Sequence, residues 1–156
     1  MKIISGGQTG ADRAGLDAAI KLGLDYGGAI PRGRRTEDGP LPKKYRRMTE
    51  LDSSAYPVRT RRNVLDADAT LIFTRGPIAG GSELTLRLAE KNKKPRLHLN
   101  LKSRSEDEAA RTVSAWLKKI RPEVLNIAGS REPKKNGFYR KVYRILLKVL
   151  KDYRES

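Results

Sequence analysis

A chain of 156 residues favours one domain around one core. Its 37% hydrophobic content argues for a folded protein despite 33% charged residues, and the absence of cysteine excludes disulfides and thiolate metal sites. The 34 basic residues against 18 acidic ones leave a net charge of +16, a positive field expected to attract phosphorylated small molecules or nucleic acid.

Residues 2–5 form a short β-prone run that ends at glycine. Residues 9–22 read as a helix whose small residues, Ala11, Gly15, Ala18 and Ala19, let it lie close on a sheet. Thr9 and Asp12 have the spacing of a capping box. Residues 25–30 predict a second strand, weakened by Gly27 and Gly28. Residues 31–57 carry proline, glycine and many charges, and read as a functional loop with at most short elements. A helix over 59–66 follows, then the clearest buried strand, over 69–74. Glycine-rich 76–81 leads into a helix over 82–92, and a strand is expected over 95–101. Ser105 opens a capping box with Glu108, ahead of a helical stripe of Ala109, Val113, Trp116, Leu117 and Ile120. The chain closes with a strand over 124–128, a basic loop over 129–137 and a helix reaching Tyr153, with Phe138, Val142, Ile145, Leu146 and Val149 on one face. Met1–Ser5 is too short for a secretory leader and no apolar run approaches the ~20 residues that span a bilayer. With no cysteine, a cytoplasmic protein without a membrane partner is expected.

Strands thus alternate with helices along the whole chain, with no linker dividing it. This predicts one domain over 1–156, an α/β fold of the Rossmann-like type: a three-layer αβα sandwich on a mainly parallel sheet. Ligands on such sheets bind outside the carboxyl ends of the strands. Two glycine turns fall there. In Ser5-Gly6-Gly7-Gln8-Thr9-Gly10-Ala11-Asp12, glycine lets backbone N–H groups approach an anion, the helix start adds partial positive charge, and Gln8 and Thr9 add donors. Gly80-Gly81-Ser82-Glu83-Leu84-Thr85 repeats the pattern, and Thr85 lies one helical turn below Ser82. The first turn has the pattern neither of an ATPase phosphate loop nor of a dehydrogenase dinucleotide site. The loop Arg32-Gly33-Arg34-Arg35-Thr36-Glu37-Asp38-Gly39 should overhang the same edge, with arginines able to grip phosphate. Arg59, Thr60, Asn63 and Asp66 form a polar face that gains a binding role if it meets the glycine turns. His98 lies inside a strand and is expected to be structural, so the protein offers no metal-ligand cluster.

These residues resemble the molybdenum carrier protein family. The resemblance rests on 5–14, 31–35 with 37–39, Arg59-Thr60, Asn63-Val64, 68–72, Gly80-Gly81-Ser82, Leu84-Thr85 and 125–132, and runs from about residue 3 to about 150. It implies a fold shared with the lysine-decarboxylase-like nucleotide phosphoribohydrolases and the DNA-processing proteins. It implies a homo-oligomeric carrier of the molybdenum cofactor, a phosphorylated pterin (molybdopterin) whose own sulfurs ligate the metal, and it does not imply catalysis. The implied phosphate-binding residues are Gly6, Gly7, Gln8, Thr9, Gly10, Gly80, Gly81 and Ser82, with Arg32, Arg34, Glu37, Asp38, Asn63, Arg131 and Glu132 as further contacts. The chain departs from the family in its basicity, notably Arg140, Lys141, Arg144, Lys148, Lys151 and Arg154. Two alternatives follow. One is a nucleotide monophosphate site, hydrolytic if Glu83 or Glu37 supplies the carboxylate. The other is a single-stranded nucleic-acid binder using Tyr139 and Tyr143 for stacking.

Overall fold

The computed structural model of the chain describes residues 1–132, 134 and 137–156. Strand β1 (Lys2–Ser5) leads through a glycine turn into helix α1 (Ala11–Leu22) and then β2 (Asp25–Gly27). The long polar segment holds only short elements: β3 (Ala29–Ile30), a 3-10 turn (Arg32–Arg34), β4 (Arg35–Thr36), β5 (Gly39–Pro40) and β6 (Thr49–Glu50). Then follow α2 (Tyr56–Asp66), β7 (Ala69–Thr74), α3 (Gly80–Lys91), β8 (Arg96–Asn100), α4 (Glu106–Ile120), β9 (Val124–Gly129) and α5 (Phe138–Glu155). Of the basic loop expected over 129–137, residues 133, 135 and 136 lie outside the described residues.

Five strands form one all-parallel sheet in the order β2-β1-β9-β7-β8. Helices α1, α4 and α5 pack together on one face, and α2 and α3 pack together on the other. This is the expected α/β Rossmann-like sandwich. Every residue of β7 is buried, as its unbroken apolar run requires of a strand covered on both sides. The small face of α1 lets it settle on β9: a side-chain carbon at Gly15 would stand 2.8 Å from Ile127 Cβ.

Three local expectations are corrected. The run over 25–30 is not one strand. Gly28, at φ 124°, bends the chain out of the sheet, so that Ala29 and Ile30 pair with Thr49 and Glu50 instead. The helix expected over 59–66 starts three residues earlier, with Pro57 in its first turn, where the missing N–H costs nothing. Thr9 and Asp12 do not form a capping box. Gly10 is the N-cap of α1, the Thr9 hydroxyl donates to Glu37 and accepts from the Glu132 N–H, and Asp12 is turned back to the Gln8 N–H. Ser105 does cap α4, accepting from the Glu108 N–H at 3.2 Å.

The basic face of α5 is largely engaged within the protein. Arg144 pairs with Glu106, Lys148 lies 3.9 Å from Asp107, and Lys141 donates to the carbonyls of Leu101 and Arg104. These contacts tie α5 to the start of α4 and to the end of β8. Tyr139 donates to Asp17 and stacks on Tyr143 with ring centroids 5.9 Å apart. Neither ring is a free platform for nucleic-acid bases.

The start of α1 is held by close backbone contact. The Ala11 N–H donates to the Ser130 carbonyl at 3.1 Å, and a side-chain carbon at Gly10 would stand 2.2 Å from that oxygen, on backbone already at φ 81°. Gly10→Ala is therefore expected to cost at least about 2 kcal/mol, through strain and displacement of the 130–132 segment. Chemical denaturation would show it as a lowered midpoint, and an unchanged midpoint would mean that the turn yields easily.

Candidate functional site

The sheet order makes a crevice. The chain runs outward from β1 to β2, returns at β7 and β8 on the opposite side, and inserts β9 between the halves. Helices α1 and α3 diverge from β1 and β7 on opposite faces of the sheet, which opens space above the carboxyl end of β9. A cavity of about 540 Å³ lies there, with Asn126 to Arg131 as its floor. That volume is ordinary for a small-molecule site.

The two glycine turns meet at this cavity but are not equivalent. The first has engaged three of its donors internally, although among the described residues no acceptor meets the N–H groups of Gly6, Thr9, Gly10 and Asp12. Gly7 N–H donates to Ser5 Oγ, Gln8 N–H to Asp12 Oδ2 at 3.2 Å, and Ala11 N–H to Ser130 O. The Asp12 carboxylate thus occupies the acceptor role that a bound anion would take. The second turn is open. Among the described residues, no acceptor meets the N–H groups of Gly80, Gly81 and Ser82, and α3 has no side-chain cap. Ser82 and Thr85 lie beside them, although the Thr85 hydroxyl donates back to the Gly81 carbonyl at 2.8 Å. Partial positive charge at a helix start with free donors suits phosphate.

Across from α3 stand polar groups that are costly to bury. Gln8 is 3% exposed. Its Oε1 accepts from the Glu37 N–H, while its Nε2 is buried with no acceptor among the described residues. Such a donor is expected to be satisfied by something that enters the cavity. Asp12 is buried beside it, and burial pushes its carboxyl up to about 6, against the opposing pull of Arg59, the Gln8 N–H, Arg131 and Arg13. Arg59 is 6% exposed and donates to the Gly6 carbonyl at 2.6 Å. Burial lowers its pKa and the Asp12 charge opposes that.

Of the residues singled out from sequence, Gly6, Gln8, Asp12, Arg59, Thr60, Asn63, Gly80, Gly81, Ser82, Thr85 and Arg131 line the cavity. Both ends of the Asn63 amide are engaged with the backbone of Ala29, which pins α2 to the bend after β2. The others stand behind the wall. Gly7 packs on Ile30 and Leu41, and Gly10 on the 130–132 backbone. Thr9 ties Glu37 to Glu132, and Arg131 lies 3.5 Å from Glu37. Asp38 pairs with Arg13, whose guanidinium helps hold its carboxyl below the usual range after the larger effect of the Thr36 hydroxyl. Arg34 is not free to grip phosphate, because it donates to the carbonyls of Leu41, Pro42 and Tyr45. Neither Arg32 nor Gly33 lines the cavity, and their backbone N–H groups donate to Ser53 O and to Glu50. Glu132 is buried and caps α5, accepting from the N–H groups of Phe138 and Tyr139. His98 is structural: its Nε2 lies 2.7 Å from the Thr74 hydroxyl, and burial holds its pKa below the ordinary value.

From sequence, Asp12 reads as a capping residue, and Arg59 and Thr60 gain a role only if their face meets the glycine turns. The signal was the spacing of Arg59, Thr60 and Asn63 on α2. All three are buried, and a buried polar face on a surface helix marks a site. Asn126, a polar residue inside the apolar run of β9, carries a similar signal.

Fold and site together define a Rossmann-like α/β protein with a polar crevice at the reversal of strand order. A family model described as the circularly permutated YpsA SLOG family matches residues 3–150, and the chain belongs to that family. Among solved structures, a protein of Syntrophus aciditrophicus SB named "Putative molybdenum carrier protein" is 48% identical, over 95% of this chain and 92% of that one, with a TM-score of 0.89. The resemblance drawn from the motifs is therefore borne out. No curated protein matches the chain. No described helix is long and apolar enough to cross a membrane.

Proposed function

We propose that the chain binds and carries the molybdenum cofactor, with the phosphate on the start of α3 and the pterin edge on Asp12 and Gln8. The observation that carries this reading is that the Asp12 carboxylate stands inside the first turn, while no described side chain caps the second. Free N–H groups at Gly80 to Ser82 suit phosphate. On the opposite wall, a buried carboxylate and an unpartnered amide donor suit a ring edge presenting N–H and carbonyl groups together. The named neighbour supports a carrier role, and the cofactor's dithiolene sulfurs would hold the metal without help from this cysteine-free chain. The same reading makes the chain a non-catalytic, cytoplasmic and self-associating protein of one domain.

The hydrolytic alternative loses its nominated carboxylates. Glu83 pairs with Arg87 on the exposed side of α3, and Glu37 is held by Thr9 and Arg131. Calorimetry with molybdopterin under anaerobic conditions tests the carrier reading. Absence of binding by the folded protein would sink it.

Gly81 offers a sharper test. Its backbone is not left-handed, and no protein atom lies within 4 Å of where a side-chain carbon would sit. Gly81→Ala should therefore raise stability by about 0.5–1 kcal/mol. The added methyl group would crowd the phosphate and weaken binding at least about 10-fold. Thermal denaturation and calorimetry on one preparation would check both signs.

A further inference from the structure

Three guanidinium groups converge on one ring. Arg35 Cζ lies 4.3 Å from the Tyr56 ring centroid, Arg131 Cζ 4.8 Å and Arg59 Cζ 5.3 Å. They form a path. Arg59 is buried in the cavity wall, Arg131 stands at the rim, and Arg35 is exposed beyond it. Among the described residues, one carboxylate pairs with this group, Glu37 at 3.5 Å from Arg131. Arg35 donates to the Ser54 carbonyl at 2.9 Å and pairs with no described carboxylate. Each guanidinium gains from the ring, but three like charges around it repel one another. An anion placed among them removes that repulsion and takes up their forked donors. The start of α3, which packs beside the α2 helix that carries Arg59, lines the same cavity and is the proposed seat of one phosphate.

We propose, resting on the reading that a phosphorylated pterin fills the cavity, that Arg35, Arg59 and Arg131 beside Tyr56 form a second phosphate subsite. The ligand class is then a pyrophosphate-linked pterin nucleotide that leaves the cavity over Arg35, in preference to the pterin monophosphate.

Calorimetry with metal-free molybdopterin and with its pyrophosphate-linked guanine nucleotide tests this on the full chain. The nucleotide form is expected to bind roughly 10-fold or more tighter. Arg35→Gln should remove most of that ratio, and Arg35→Lys, which keeps the charge but loses the fork, should recover only part of it. Circular dichroism of each variant confirms the fold. Equal affinities in the wild type, or a ratio that survives in Arg35→Gln, would overturn the subsite and leave the carrier reading standing. Failure of both compounds to bind would remove both readings. Displacement of the nucleotide form by a single-stranded oligonucleotide at physiological salt, lost in Arg35→Gln, would overturn it in favour of a strand-binding surface.

Discussion

Asp12→Asn is expected to stabilise the fold by up to about 3 kcal/mol at pH 7 while weakening cofactor binding at least about 10-fold. The stability effect follows from burial. The Asp12 carboxyl is lifted from its ordinary 3.8 to about 6 in the folded protein, so the folded state holds the proton more tightly than the unfolded chain. A group of that kind favours folding at acid pH. Its contribution shrinks as pH rises from 3.8 to about 6, and above that range the buried charge costs about 3 kcal/mol relative to a neutral side chain. Asparagine keeps an oxygen for the Gln8 N–H and carries no charge. Denaturation as a function of pH should therefore show the variant's advantage growing between 3.8 and about 6 and vanishing below that range. A constant difference would show that Asp12 is not the titrating group.

Binding should carry the opposite sign. Ionised Asp12 is the form that accepts from a pterin N–H edge, so acidification below about 6 should weaken wild-type binding by up to about 10-fold per pH unit. Asp12→Asn should retain only the titration of the ligand's own phosphate. Affinity that rises on acidification in the wild type, and not in the variant, would place the phosphate beside Asp12 and reverse the orientation proposed for the ligand.

Arg59→Met is expected to weaken binding by roughly 10- to 100-fold and to move the Asp12-linked midpoint above about 6. The Arg59 charge is the largest influence that holds the Asp12 carboxyl down against burial. Removing it leaves burial less opposed, so the carboxyl keeps its proton to higher pH. Methionine fills much of the space of the arginine stem, but it loses the 2.6 Å bond to the Gly6 carbonyl. A purely structural role for Arg59 would lower stability and affinity without moving the midpoint. Calorimetry at several pH values separates the two cases, and Arg59→Lys should bring back part of the midpoint shift.

Much of the fold was legible because it rests on local pattern. The apolar run of β7 could be little other than a buried strand, and the stripe from Ala109 to Ile120 could only be one face of a helix. The glycine turns were legible too, since each stands where a strand gives way to a helix. The strand over 25–30 misled because the bend at Gly28 depends on the approach of the Ser5 backbone, which no local pattern announces. Arg34 misled for a similar reason. An arginine beside glycine suggests an anion grip, but carbonyls at 41, 42 and 45 fold back on it.

The sequence by itself determined the α/β class, the order of the elements, the two turns and the polar spacing on α2, since all of these follow from periodicity and from where glycine falls. Only the tertiary structure decided which donors of each turn are engaged within the protein. The two turns carry the same kind of donors, and availability depends on what acceptors arrive. Ser5, Asp12 and Ser130, the last from the far end of β9, engage the Gly7, Gln8 and Ala11 donors of the first turn. Among the described residues, none does so at Gly80 to Ser82. Packing of α2 against α3 then buries Arg59 near Asp12, where loss of water makes that charge both costly to the fold and sensitive to what binds.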